Sequence, residues 1–273
     1  MNAVALAYSY ESAPEPAPEP APGPAPQSRL SARASELLER TDYRHIQSDE
    51  DRAAVGRLRY EAYLREGAIE PDPSQSFTDP HDDDKNARTF GVYVDDELAA
   101  SIRVHVATKD APDSPSLAAF SDVLGPELEA GKTIIDPNRF VTNQRLARLY
   151  PTLPYVTVRL CWMATIHFKA EHALAAVRPE HQAFYKRTFK YRPICGPRPY
   201  PPLITPLTLM TADYREVSDY VYRRYPFFHS TCYERRMLFE QGPKSAAVIP
   251  LSSFSAEQRP LPAEQLQLFA QAG

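Results

Sequence analysis

The sequence predicts an α+β fold, one mixed β-sheet with helices on both faces, and three observations lead there. Segments of helical and of strand-like spacing interleave in the order helix, hairpin, strand, helix, strand, helix, strand. Two runs rich in β-branched and aromatic residues, Thr89 to Val94 and Leu98 to Thr108, flank Asp95-Asp96-Glu97 and read as a hairpin. Val156 to Phe168, V-T-V-R-L-C-W-M-A-T-I-H-F, is apolar nearly all round, so as a helix it belongs in the core.

At 273 residues and 43% hydrophobic content, one domain with extensions is the simplest organisation. The formal net charge of -4 argues against general nucleic-acid binding. No apolar run is long enough to span a membrane. The start, M-N-A-V-A-L-A-Y-S-Y-E, lacks the basic segment and long apolar block of a secretion signal, and a cytoplasmic location is expected. Cys161, Cys195 and Cys232 form neither a C-x-x-C pair nor a disulfide framework, which fits a reducing compartment.

In chain order, residues 1 to 28 read as a disordered arm, because A-P-E-P-A-P-E-P-A-P-G-P-A-P-Q favours extended polyproline and offers little to bury. Residues 29 to 212 form the expected domain. Ser31 to Arg40 reads as a helix and Tyr43 to Ile46 as a strand. Ser48 caps a second helix through S-D-E-D, with carboxylates in its first turn. Val55, Leu58, Ala62 and Tyr63 give that helix its apolar face, and Arg59 falls within it. Gly67 to Ala87 is a long loop holding Asp72, Asp79, Asp82, Asp83 and Asp84; loops of this length tend to be functional, but the acids lack calcium-loop spacing and no metal is expected.

In the second hairpin strand, Ser101, Arg103 and His105 share a face opposite Ile102, Val104 and Val106. An irregular helix over Leu117 to Leu128 ends at Gly131. Lys132 to Thr142, K-T-I-I-D-P-N-R-F-V-T, then reads as a buried strand carrying Asp136 and Arg139, with Pro137 marking a bulge. Charges in such a strand are costly unless paired, so they should turn toward a cleft. Ala173 to Val177 is a short buried strand, Pro179 opens a helix, and Leu203 to Met210 is a strand. Asp213 to Tyr225 is a tyrosine-rich helix, and residues 213 to 273 form a helical extension with a weakly ordered tail beyond about Phe239. A splayed strand pair in this sheet would leave a tunnel suited to an acyl chain.

The charge pattern adds a partner. From Arg145 to Arg198 the bases are Arg145, Arg148, Arg159, Lys169, Arg178, Lys186, Arg187, Lys190, Arg192 and Arg198, against Glu171 and Glu180. On a net-negative chain this is a local basic surface that would steer an acidic protein.

These residues resemble a known pattern from about Tyr43 to Thr211. Arg59 with Tyr63, the D-x-x-D of Asp79 and Asp82, Arg103 in S-I-R-V-H, and Asp136, Arg139 and Phe140 in D-P-N-R-F are similar to signatures of acyl-homoserine-lactone synthases. More closely, they resemble those of the long-chain N-acyl amino acid synthases, as does V-R-P-E-H-Q-A-F-Y. The resemblance implies a GNAT-like fold and transfer of a fatty acyl group to the α-amine of an amino acid. Lactone synthases generally carry Glu where Asp136 stands. The Arg/Gln-x-x-Gly-x-Gly/Ala loop of coenzyme-A-dependent relatives is missing, so acyl carrier protein is the expected donor, with no further cofactor.

On this reading Asp136 holds or deprotonates the amine while Arg103 and Arg139 keep it ionised. Arg59 braces the loop acids; Tyr63, Asp79, Asp82 and Phe140 serve the substrate side; and Arg145, Arg148, Lys186 and Arg187 meet the carrier protein. Two alternatives belong to other classes. A lactone synthase using S-adenosylmethionine would release methylthioadenosine, and a non-catalytic acyl-carrier or lipid-binding module would bind without product.

Overall fold

The local signals act first. In the computed structural model, which describes residues 28–240, Ser48 accepts a hydrogen bond from Asp51 N and starts α2 (Asp49–Arg65), following α1 (Arg29–Leu38) and β1 (Thr41–His45). The hairpin forms as β2 (Ala87–Val94) and β3 (Glu97–Ala107), turning through Asp95 and Asp96, both in the left-handed region that such a tight turn requires. The irregular helix is two short ones, α3 (Pro115–Ala119) and α4 (Ser121–Glu129), broken at Phe120. Then follow β4 (Ile134–Thr142), α5 (Gln144–Leu149), α6 (Leu153–His167), β5 (His172–Val177), α7 (Gln182–Phe189), β6 (Arg192–Tyr200), β7 (Leu203–Asp213), α8 (Tyr214–Arg224) and α9 (Cys232–Phe239). Residues 1 to 27 of the expected disordered arm, and the expected weakly ordered tail past Glu240, lie outside the described residues.

The strands make one sheet in the order β1-β2-β3-β4-β5-β7-β6. On one face α6, buried all round, packs with α1, α8 and α9 over the main core of Phe90, Ile102, Val156, Leu160 and Met163. The opposite face carries α2 with Tyr63 and Phe77, and α3 and α4 with Phe120, Leu124 and Leu209. Val217, Val221 and Phe239, on α8 and α9, belong to the same core as α6. The buried Arg159 of α6 ties that extension down, donating to the Phe227 and His229 carbonyls at 2.7 and 2.6 Å and pairing with Glu234.

At the sheet centre the bulge departs from the sequence reading, and the expected splayed strand pair is β4 and β5. Pro137 keeps a register partner, Val104, and the bulge lies beyond it: Arg139 and Phe140 together oppose Ile102, with Arg139 at φ +52°. Beyond Ile134↔His172 and Ile135↔Ala173, β4 and β5 no longer pair, and the sheet opens.

Candidate active site

Arg103 has no exposed surface, and burying a guanidinium is costly unless its N–H groups are used. Here they are. Nη1 donates to Asp79 Oδ1 at 2.9 Å and Asp82 Oδ1 at 2.8 Å, Nη2 to Asp79 Oδ2 at 3.3 Å, and Nε to Asn138 Oδ1 at 2.7 Å. Left-handed Arg139 reaches the same Asp79 from β4, Nε to Oδ2 at 2.5 Å, and Arg59 of α2 holds both oxygens of Asp82 at 2.8 and 3.0 Å.

The loop presents its acids through a reciprocal cap. Asp79 accepts from His81 N at 2.9 Å, and Asp82 accepts from Asp79 N at 3.0 Å, around the short turn Pro80–Asp83. Burial pushes both carboxyls up, but the guanidinium groups override it and hold Asp79 and Asp82 below the usual carboxylate range.

Three guanidinium groups thus face two carboxylates, an excess of one positive charge in this cluster. Among the described residues, Arg139 Nη2 and Arg59 Nε and Nη2 are buried without a hydrogen-bond partner. The Tyr63 ring lies next to Arg139, packed edge-on against Phe77 at 4.9 Å.

Asp136 is elsewhere, which corrects the expected pairing. It is fully buried on the same sheet face as Arg103, yet its oxygens accept from Ser116 N at 3.1 Å and Ser116 Oγ at 2.7 Å, not from Arg103 or Arg139. The parity of the strand is as the sequence implies; α3, folding over this end of β4, supplies the partner. Tyr200 Oη lies 3.2 Å from Ser116 Oγ.

The opening between β4 and β5 is a cavity of about 370 Å³. Its walls are small or apolar: Phe140 and Val141 on β4, Ala173 to Val177 on β5, Val158 and Trp162 on α6, and Phe184 and Tyr185 on α7. Arg139, Tyr63 and Tyr200 also line it. Arg178 at the end of β5 spans to the end of α2, donating to Glu66 Oε2 at 2.7 Å and to its carbonyl at 3.1 Å.

The profile of the N-acyl amino acid synthase FeeM family matches residues 54–213, more than half of the chain and all of this site. The chain belongs to that family. It is an acyltransferase of the N-acyltransferase class, with a GNAT-like fold. The structure of FeeM, an N-acyl amino acid synthase from uncultured soil microbes, is similar at 16% identity, covering 66% of this chain and 94% of that one with a TM-score of 0.53. TofI, solved in a ternary complex with an inhibitor and MTA, aligns at 11% identity over 70% of this chain and 100% of its own, TM-score 0.51. BjaI, a CoA-dependent acyl-homoserine lactone synthase, aligns at 15% identity over 67% and 88%, TM-score 0.47. At such identities the likeness is one of fold. Comparison with curated protein sequences gives no match.

In this FeeM-family chain a second polar group sits beside the arginine cluster. His81, Asp84 and His105 hold three possible metal-ligand atoms within 4.8 Å of one another. Their hydrogen bonds oppose a cation. Asn138 presents its oxygen to Arg103, so its Nδ2 donates to His105 Nδ1 at 3.0 Å, and the His105 proton is on Nε2, donating to Asp84 at 3.0 Å. A cation on Nε2 would drive that proton to Nδ1, against the Asn138 amide. Burial pushes the His105 pKa down, which keeps the ring neutral.

The basic surface is smaller than its sequence count. Arg159 is buried with Glu234, Arg178 is held by Glu66 and Glu180, and Arg198 pairs with Asp122. Arg148, Lys186 and Arg187 are exposed, as is Arg145, which pairs with Glu97. They flank the start of α6: Arg187 reaches Tyr155 Oη at 3.5 Å, and α5 runs directly into that end.

Proposed function

We propose that this chain acylates the α-amine of an amino acid with a long-chain fatty acyl group taken from an acyl-carrier-protein thioester, as a cytoplasmic enzyme. The observation that carries the reading is the junction of two unlike environments. An apolar cavity between the diverging strands, sized for an acyl chain, is bordered by a guanidinium cluster with one charge in excess and a free donor on Arg139. An α-carboxylate supplies the missing negative charge and pairs with Arg139 Nη2, which sets the neighbouring amine at the head of the acyl chain.

The chemistry is aminolysis without a covalent enzyme intermediate. Cys161 lines the cavity, but burial pushes its thiol up, so it is not the thiolate that acyl capture needs. Arg59, Arg103, Asp79 and Asp82 fix the loop and hold Arg139. Tyr63 and Phe140 flank the acceptor, and Asp136 receives the amine's proton indirectly. Arg148, Lys186 and Arg187 dock the carrier protein. The test is reconstitution of the purified chain with acyl-carrier thioester and mixed amino acids, followed by mass spectrometry. N-acyl amino acids are expected; acyl-homoserine lactone with methylthioadenosine, or binding without product, would replace this reading.

A further inference from the structure

The one buried carboxylate of the site outside the arginine cluster has a path to the cavity. Ser116 Oγ carries a single proton, and Asp136 Oδ1, 2.7 Å away, accepts it while Ser116 N fixes Oδ2 at 3.1 Å. With that proton committed, the 3.2 Å contact between Ser116 Oγ and Tyr200 Oη has the tyrosine as donor. The Tyr200 oxygen keeps its own capacity to accept, and Tyr200 lines the cavity and interacts electrostatically with Arg139. All three residues are buried, at 2% exposure or less. They come from three elements, α3, β4 and β6, none adjacent in sequence.

Resting on the acyl-transfer reading above, we infer that Tyr200, Ser116 and Asp136 form a proton relay serving the attacking amine. As the neutral amine's nitrogen closes on the thioester carbonyl, the C–N bond forms and the nitrogen gives a proton to Tyr200 Oη. Tyr200 passes its own proton to Ser116 Oγ, and Ser116 passes its own to Asp136 Oδ1. Collapse of the adduct breaks the C–S bond; the thiolate leaves with the electron pair, and the Asp136 proton returns along the same chain to sulfur. Amine and thioester become amide and thiol, and the protein is restored. Burial and the nearby Asp136 push the Tyr200 hydroxyl up, so it passes protons without ionising.

The experiment follows amine-dependent thiol release from an acyl thioester, in H2O and in D2O mixtures, for wild type, Tyr200→Phe, Ser116→Ala and the double variant. Each single change is expected to lower kcat by about 100-fold, the lower end for a lost proton-transfer group. KM for both substrates should hold. The double variant should be no slower than either single, because a chain is broken only once. The multi-proton curvature of the wild-type isotope dependence should vanish, a change that a packing defect would not produce. Tyr200→Phe retains the ring beside Phe120, so it decides alone if Ser116→Ala does not fold. Wild-type kcat in Tyr200→Phe, or single losses that multiply, overturns the relay and leaves the acyl-transfer reading standing. A wild type without amine-dependent thiol release removes both.

Discussion

A guanidinium with no exposed surface is stable only while its carboxylates stay charged, so Arg103 ties the site to pH. Asp79 and Asp82 are held below the usual carboxylate range in the fold. Their stabilisation is therefore complete above the ordinary Asp range near pH 4 and is lost as pH falls through their lower folded values. His105 acts in a higher window. Burial pushes its pKa down, as it does for His45 and His167, so below about pH 6.5 the unfolded chain binds protons that the folded chain refuses. The urea midpoint should be flat between about pH 7 and pH 8, fall below about pH 6.5 and fall more steeply below about pH 4; His105→Gln should shallow the first decline. Arg59 and Arg139 were legible in the sequence because each interrupts an apolar segment, Arg103 stood on the polar face of its strand, and Asp79 and Asp82, in a long loop, stood out through the D-x-x-D resemblance. Their partners were not: Asp136 and Arg139 are three apart, but the bulge and α3 send them to different places. Ser116 and Tyr200 carry no local signal at all, since only the tertiary fold makes them neighbours.

At the scale of elements, the cavity exists because β4 and β5 share only two register pairs before they diverge. Small β5 residues then leave the space open. Ala175 lines it, and Ala175→Phe should shorten the preferred acyl chain by several carbons while leaving KM for the amine unchanged, as read from activity across a donor length series. An unchanged profile would place the acyl chain elsewhere. The segments α2, α6 and the β2–β3 hairpin were readable within a few residues, α6 from its unbroken apolar run and the others from their capping, turn and strand-forming residues. β6 was not, because Pro193, Pro197 and Pro199 each remove a ladder donor; such a strand survives as a sheet edge, which is where it lies. α5 and α9 are short, and their helical state owes more to Asn143 and Thr231 capping than to any apolar stripe.

The whole molecule sets charge against net charge. A chain of net -4 keeps Arg148, Lys186 and Arg187 exposed around the start of α6, close to Pro154, which lines the cavity. Reversing Lys186 and Arg187 to Glu should raise KM for the acyl-carrier donor several-fold, less at high salt, with KM for the amine unchanged; equal donor KM would remove the docking role. Everything else depends on an amino acid's carboxylate meeting the surplus guanidinium at the mouth of an acyl cavity. The direct measurement is the ratio of kcat/KM for an amino acid to that for its decarboxylated amine, in wild type and in Arg139→Gln. Such a pairing gives a wild-type preference of about 10- to 100-fold, the worth of a charge-assisted pair, falling close to one in the variant. A wild type indifferent to the carboxylate, or a variant that keeps the preference, would contradict it.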